Sequence, residues 1–281
     1  MVHVAMVCQS YYPEDERVRR QAEALLEVGY SVDVISLVLS DEDEKHASHN
    51  GVSIYRINLH RRRGSKSRYL FEYIYFLIAA GLKLSSLHKT KQYKIIQIHN
   101  LPNILVFSAL VPKLFGAKLI LDMHEIMPEF FMRKYNVSPN HLLTRSLKIS
   151  EWLSVRLVDH VIVATPFLKN TIVARSVSPG KCTPILNLPD PKYFKPINRT
   201  VNHAMPSTQQ RGLPDSQPFR IIYPGSLNFL HGVDIAIKAI KLIDLEQSRA
   251  VELHIYGYGS ETESLRLKEL MDHLDLYHRV F

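Results

Sequence analysis

Short apolar runs rich in β-branched residues alternate along the chain with longer stretches whose apolar positions recur every three to four residues. The runs at 3–8, 31–37, 52–57, 95–98, 118–121 and 160–164 are predicted strands. Between them, 16–27 reads as an amphipathic helix ended by Gly29. The stretch 102–115 reads as a helix opened by proline and closed by Gly116, and 142–157 reads as another helix. Strands separated by helices predict βαβ units and a parallel sheet covered on both faces. The periodicity stops between Pro189 and Pro218, where HAMPSTQQRGLPDSQP carries no pattern, and then resumes. Strands are predicted at 220–223 and 251–256, helices at 232–243 and 261–274, and a third strand begins at Arg279 and stops at Phe281. The predicted organisation is therefore a first domain over 1–190, a linker over 191–218 and a second domain over 219–281. One or two βα units would leave a sheet unpaired, so the second domain is expected to be incomplete.

Composition adds little to the fold and more to the partners. The 281 residues carry a formal charge of +8, which favours anionic partners without choosing among nucleic acid, phospholipid and phosphate-bearing substrates. The basic residues are spread out and match no nucleic-acid module, so no nucleic-acid partner is expected. Two cysteines, Cys8 and Cys182, make neither a disulfide framework nor a metal cluster. The opening residues lack a basic segment and a cleavage site, and a cytoplasmic location is expected. The longest apolar stretch, 69–84, is short for a spanning helix. Arg61, Arg62, Arg63, Lys66 and Arg68 precede it and Lys89, Lys91 and Lys94 follow. It reads equally as a core helix with solvated ends and as an aromatic, apolar helix docked at an anionic membrane face.

In an open α/β sheet the ligand crevice lies at the carboxyl ends of the strands. After the first strand comes QSYYPEDERVRR, where Asp15 or Glu16 would cap the next helix and Asp15 could also face a sugar hydroxyl. No GxGxxG occurs there, which argues against a dinucleotide. After the fourth and fifth strands come HNLPN and DMHEIMPE, which cluster His99, Asn100, Asp122, His124 and Glu125. Ordinary loop residues are the plain alternative. A zinc site is a second one, unsupported by any HExxH or cysteine pair. His124 is the choice for the residue nearest a reacting centre, because a neutral imidazole both donates and accepts near pH 7. In the second half, YPGSLNFLHG sets Gly225 and Ser226 after a strand, and His231 and Gly232 before a helix whose N-terminal amides suit a phosphate. YGYGS sets Gly257 and Gly259 at the neighbouring strand tip, where a base or ribose could approach closely, unless each glycine merely permits a tight turn.

At these residues the chain resembles glycosyltransferase family 4, whose members have the two-domain GT-B fold. The matching stretches are YYPEDERVRRQAEALLEVGYSVDVI, IQIHNLPN, LILDMHEIMPE, ILNLPDPKYFKP, YPGSL with HGVDIAIKAI, and LHIYGYGSETESL. The resemblance implies a GT-B protein of two Rossmann-like domains, with the donor domain cut short. It implies transfer of a sugar from a nucleotide-diphosphate sugar to a lipid-linked or polysaccharide acceptor hydroxyl, with retention of configuration and no metal. On this likeness the first domain holds the acceptor, with His124 at the reacting sugar and Asp15, Asn100 and Glu125 as acceptor contacts. The second holds the donor around Gly225, Ser226, His231, Gly232, Gly257 and Gly259. The leaving phosphate itself helps deprotonate the acceptor, so the protein mainly stabilises diphosphate charge and aligns reactants. Two departures stand out. Many members carry arginine where this chain has Ser226 and lysine where it has His231, and the carboxylate-bearing donor motif of the family is expected beyond Phe281. A non-catalytic acceptor- or membrane-binding subunit is the main alternative, and a nucleotide-sugar epimerase a further one.

Overall fold

A computed structural model of the chain describes residues 2–40, 43–60, 66–188, 195, 218–228, 231–246 and 251–281. The chain divides into two compact units, Met1–Pro196 and Ile197–Phe281. The expected linker, 191–218, lies outside the described residues apart from Lys195 and Pro218, as do Arg61, Arg62 and Arg63.

The first unit is built from β1 (His3–Tyr11), α1 (Glu16–Glu27), β2 (Ser31–Leu37), β3 (His46–His49), β4 (Val52–Ile57), α2 (Lys66–Lys91) and β5 (Ile95–His99). After a 3-10 segment, Asn103–Ala109, come α3 (Leu110–Leu114), β6 (Lys118–Met123), α4 (Met127–Tyr135), α5 (Leu142–Leu157), β7 (His160–Val163), α6 (Pro166–Val173) and β8 (Cys182–Pro184). The strands form an 8-stranded sheet in the order β3-β4-β2-β1-β5-β6-β7-β8. All pairs are parallel except β3 with β4. Strand parity sorts the side chains. Ala5 and Val7 of β1 join one apolar cluster with Phe76, Ala80 and Leu84 of α2 and Val155 of α5, while Met6 and Cys8 join Val18 and Ala22 of α1 on the other face. Both faces are thus covered, as the alternating pattern predicts.

Asp15 caps α1, its Oδ1 accepting from the backbone N–H of Arg17 at 3.2 Å, and Gly29 closes the turn beyond at φ +86°. The stretch predicted as one helix over 102–115 is instead a 3-10 segment followed by α3. Pro112 explains the break, since it has no N–H to offer Ser108 and its ring crowds that carbonyl. In α2, Gly81 lies over the same carbonyl; a Cβ there would come within 3.3 Å of Ser108 O. By length and composition α2 is apolar enough to cross a membrane. One face is nevertheless sealed into the core by Phe76, Ala80 and Leu84.

The second unit contains β9 (Phe219–Pro224), α7 (Val233–Glu246), β10 (Val251–Tyr256) and α8 (Glu261–Leu274). The strands β9 and β10 pair in parallel. The predicted third strand appears as a parallel bridge between Leu253 and Val280, with Phe281 N–H donating to Leu253 O at 2.9 Å. Its core is Val233, Ile237, Ile240, Leu253, Leu276 and Val280. A capping box fixes the start of α8, Ser260 and Glu263 each bonding the other's backbone N–H.

Candidate functional site

Three central strands of the first unit, β1, β5 and β6, end side by side, with Cys8 opposite His99 and His99 opposite Asp122. Ile96 and Ile98 of β5 and Leu119, Leu121 and Met123 of β6 belong to the α2-side core. Gln97, His99 and Asp122 alternate with them and so face the α1 side. There they meet Gln21, whose Nε2 donates to Asp122 Oδ2 at 2.8 Å; Gln97 Nε2 donates to the same oxygen at 3.2 Å. A buried carboxylate needs such partners.

His99 Nδ1 lies 3.3 Å from Asp122 Oδ2 and 3.3 Å from His124 Nε2, and His124 Nε2 lies 3.7 Å from Asp122 Oδ2. Assigned from these contacts, the proton of His99 sits on Nδ1, pointing between the two acceptors, and His124 carries its own on Nδ1. Burial pushes the His124 imidazole down to about 4; the Asp122 charge opposes this and His99 adds to it. Burial alone would raise the Asp122 carboxyl, but the His99 hydrogen bond, the two nearby imidazoles and Gln21 outweigh it and hold the group at about 2. At neutral pH the site therefore presents a carboxylate behind a neutral imidazole that can donate one hydrogen bond and accept another.

Asn100, 8% exposed, ties the two loops together. Its Oδ1 accepts the backbone N–H of His124 at 2.8 Å, and its Nδ2 donates to Glu125 O at 2.8 Å and to Asn103 Oδ1 at 3.0 Å. With both N–H groups and the carbonyl engaged, Asn100 acts in this structure as the clamp that aims the His124 loop. Asp15, Arg17, Gln9, Ser10, His124 and Glu125 line a polar cavity of about 190 Å³. A second cavity of about 290 Å³ shares His124 and Glu125 and is floored by Ile126, Phe130, Phe167 and Leu168. Glu129, Arg133 and Thr171 complete its lining, so His124 stands at the junction of a polar and a mixed compartment. The fold also brings Arg17, Gln9, Gln21 and Gln97 to the site, none of which stands out as chemistry in the sequence. The available signal was glutamine inside otherwise apolar strands, in MVCQS and IIQIH.

Among the described residues, His99, Asp122 and His124 form the one set with metal-ligating atoms all within 4.8 Å of one another. The two glutamine amides already occupy the Asp122 oxygen that faces both imidazoles.

In the second unit the tips of β9 and β10 run on together: Gly225 N–H donates to Tyr256 O at 2.9 Å and Leu227 N–H to Tyr258 O at 3.0 Å. A Cβ on Gly257 would fall 1.7 Å from Gly225 O, and one on Gly259 would fall 2.8 Å from Leu227 Cβ. Close approach of the two tips accounts for these glycines without a ligand. Ser226 Oγ lies 2.9 Å from His231 Nδ1, and Gly232, at φ +76°, leads into α7. The hydrogen bond thus draws the end of the loop after β9 back towards its start, at Ser226.

Residues 15–187 match the model of the Glycosyl transferase 4-like domain. No curated protein sequence matches the chain significantly. Among solved structures, sucrose-phosphate synthase from Thermosynechococcus elongatus aligns over 100% of this chain and 70% of its own, at 18% identity and TM-score 0.69. A glycosyltransferase from Rickettsia africae aligns over 100% and 67%, at 14% identity and TM-score 0.62. WaaG, described as a glycosyltransferase involved in lipopolysaccharide biosynthesis, aligns over 99% and 69%, at 13% identity and TM-score 0.61. These likenesses are those of the GT-B fold.

Proposed function

The chain belongs to the glycosyl transferase 4-like family, and from that premise we propose that it transfers a sugar, with retention of configuration, from a nucleotide-diphosphate sugar to a hydroxyl of a lipid-linked or polysaccharide acceptor. The observation that carries this reading is the neutral His124 imidazole, backed by the Asp122 carboxylate and set between two cavities, one polar and one mixing aromatic with charged side chains. A sugar hydroxyl in the polar cavity finds Asp15, Arg17 and Glu125 around it. His124 Nδ1 donates to a sugar oxygen there, and Asn100 keeps the imidazole in place. Alignment of this kind supplies catalysis by holding reactants together. On the donor side, Ser226, His231, Gly232 and the α7 amides receive the diphosphate, with Gly225, Gly257 and Gly259 shaping the strand tips beside it. The leaving phosphate accepts the acceptor proton, and the reaction needs no metal. The involvement of WaaG in lipopolysaccharide biosynthesis favours a glycan of the cell envelope, built from the cytoplasmic side.

The test is release of nucleoside diphosphate, and formation of glycoside, from a panel of nucleotide sugars with and without lipid-linked and oligosaccharide acceptors. His124→Ala is expected to lower transfer by about 10² to 10³ while leaving nucleotide affinity within about twofold. Near-normal transfer by that variant would remove His124 from the mechanism. The anomeric configuration of the product, read by NMR, decides retention.

A second reading, an acceptor-binding subunit without its own chemistry, draws on the Ser226–His231 pair, which puts a neutral hydroxyl hydrogen-bonded to a histidine where many relatives hold two cations. Titration with nucleoside diphosphates separates the two, since a subunit of this kind binds none.

A further inference from the structure

The helices α2, α3 and α5 all cover one face of the large sheet, α2 and α5 packing on either side of the 3-10 segment Asn103–Ala109. Each turns apolar side chains outward. On α2, Glu72, Phe76, Ala80 and Leu84 point into the domain, and Phe71, Ile74, Ile78 and Leu82 recur at the same helical spacing on the solvent side. Phe71 is 64% and Leu82 70% exposed. At the end of α3, Leu114 and Phe115 are 84% and 77% exposed. On α5, Ile149 and Trp152 are exposed, and Arg156 lies over the Trp152 ring at 3.9 Å. Exposed apolar side chains recurring on all three helices exceed the scattered leucines of an ordinary surface.

The charges on the three helices themselves are one-sided; Asp159, two residues past α5, is exposed and paired with Lys113 and Lys118. The acidic residue of α2, Glu72, is 3% exposed and bonded to Arg68. That of α5, Glu151, is 0% exposed and bonded to Arg175, and α3 has none. No carboxylate on these three helices faces solvent, whereas Lys89, Arg145 and Arg156 do. We propose that the α2, α3 and α5 face seats the protein on an anionic phospholipid surface, the exposed apolar side chains entering the headgroup boundary and the cations meeting lipid phosphates. The first turns of α2 adjoin the candidate site, for Gln9 Nε2 donates to Glu72 O at 3.4 Å and Gln9 lines the polar cavity with His124. A seated protein therefore holds that cavity beside the membrane, within reach of a lipid-borne acceptor headgroup. This last link rests on the transfer reading; the seat itself does not.

The experiment is cosedimentation of the full chain with vesicles of 30% phosphatidylglycerol in phosphatidylcholine, without nucleotide or acceptor. Binding is expected, falling at least about tenfold when Phe71→Gln, Ile78→Gln and Leu82→Gln are combined, and weakening in pure phosphatidylcholine or 0.5 M salt. These positions are exposed, so the variant's circular dichroism and melting should match wild type. A control, Ile235→Gln with Leu242→Gln on α7, should bind as wild type does. Absence of binding to anionic vesicles overturns the proposal, and so does an equal loss in the control. Conversion of a wild-type dimer to a monomer by the α2 substitutions would also overturn it, assigning the face to a second copy. Transfer to a soluble glycan without vesicle binding would sink the seat and leave the transfer reading standing.

Discussion

The side-chain oxygen of Asn100 accepts the backbone N–H of His124 at 2.8 Å, so a residue at the end of β5 fixes the direction in which the loop after β6 leaves the sheet. Asn100→Ala removes this bond and those to Glu125 O and Asn103, leaving buried backbone groups unpaired at a cost of about 1–3 kcal/mol. Denaturant unfolding should register that loss. Transfer should fall further than stability accounts for, because His124 loses its aim. Asn100→Asp keeps the acceptor for His124 but loses both donors, and should fall between the two.

Acid should destabilise the first unit in two steps. His124 has its folded value lowered to about 4 from an ordinary 6.5, so the unfolded chain takes up the proton first. Stability is complete above 6.5 and declines as pH falls from there to 4, by roughly 3 kcal/mol over the 2.5 units. Asp122, held at about 2 against an ordinary 3.8, adds a second loss below 3.8. Urea midpoints measured between pH 7 and 4 should show the first slope in wild type and a shallower one in His124→Gln. Equal slopes would mean His124 is not neutral in the folded state.

Gly257→Ala places a methyl group 1.7 Å from Gly225 O, which forces the tips of β9 and β10 apart. A loss on the order of 3 kcal/mol or more is expected in the second unit, visible as an earlier melting step. Gly180→Ala, with open space around it, should change melting by no more than about 0.5 kcal/mol.

If His99, Asp122 and His124 share protons and hold no cation, transfer should be unaffected by EDTA and by added zinc at stoichiometric concentration. Loss on chelation with recovery on zinc would convert the trio into a metal centre, with its three ligating atoms already in place.

Most of the strands were legible because they are apolar and bounded by turns, and β2, β4 and β10 begin and end where the pattern predicts. The strand β3, sequence HASH, was not. It lies at the sheet edge with its side chains half exposed, so burial left no hydrophobic mark on it. Likewise β8 is three residues ending in proline. At the site, the sequence clustered His99, Asn100, Asp122, His124 and Glu125, because all lie at or just beyond the ends of β5 and β6. It could not show that Asn100 is turned inward as a clamp, or that Gln21 of α1 reaches Asp122 across 101 positions. Those relations arise only when the sheet forms. Gly257 and Gly259 of YGYGS also have a cause within the fold, since a Cβ on either would meet Gly225 O or Leu227 Cβ.

The alternation in β5 has one more consequence. Ile96 and Ile98 lie in the apolar cluster while Gln97 and His99 face the polar network. A slip of one residue against β1 or β6 would drive an amide and an imidazole among hydrocarbon side chains and strand Asp122 without its partners. The residues that support His124 and Asp122 thus also proofread strand alignment. Substitutions that make β5 uniformly apolar would erase chemistry and, with it, the penalty that keeps misaligned sheets from competing with the native one.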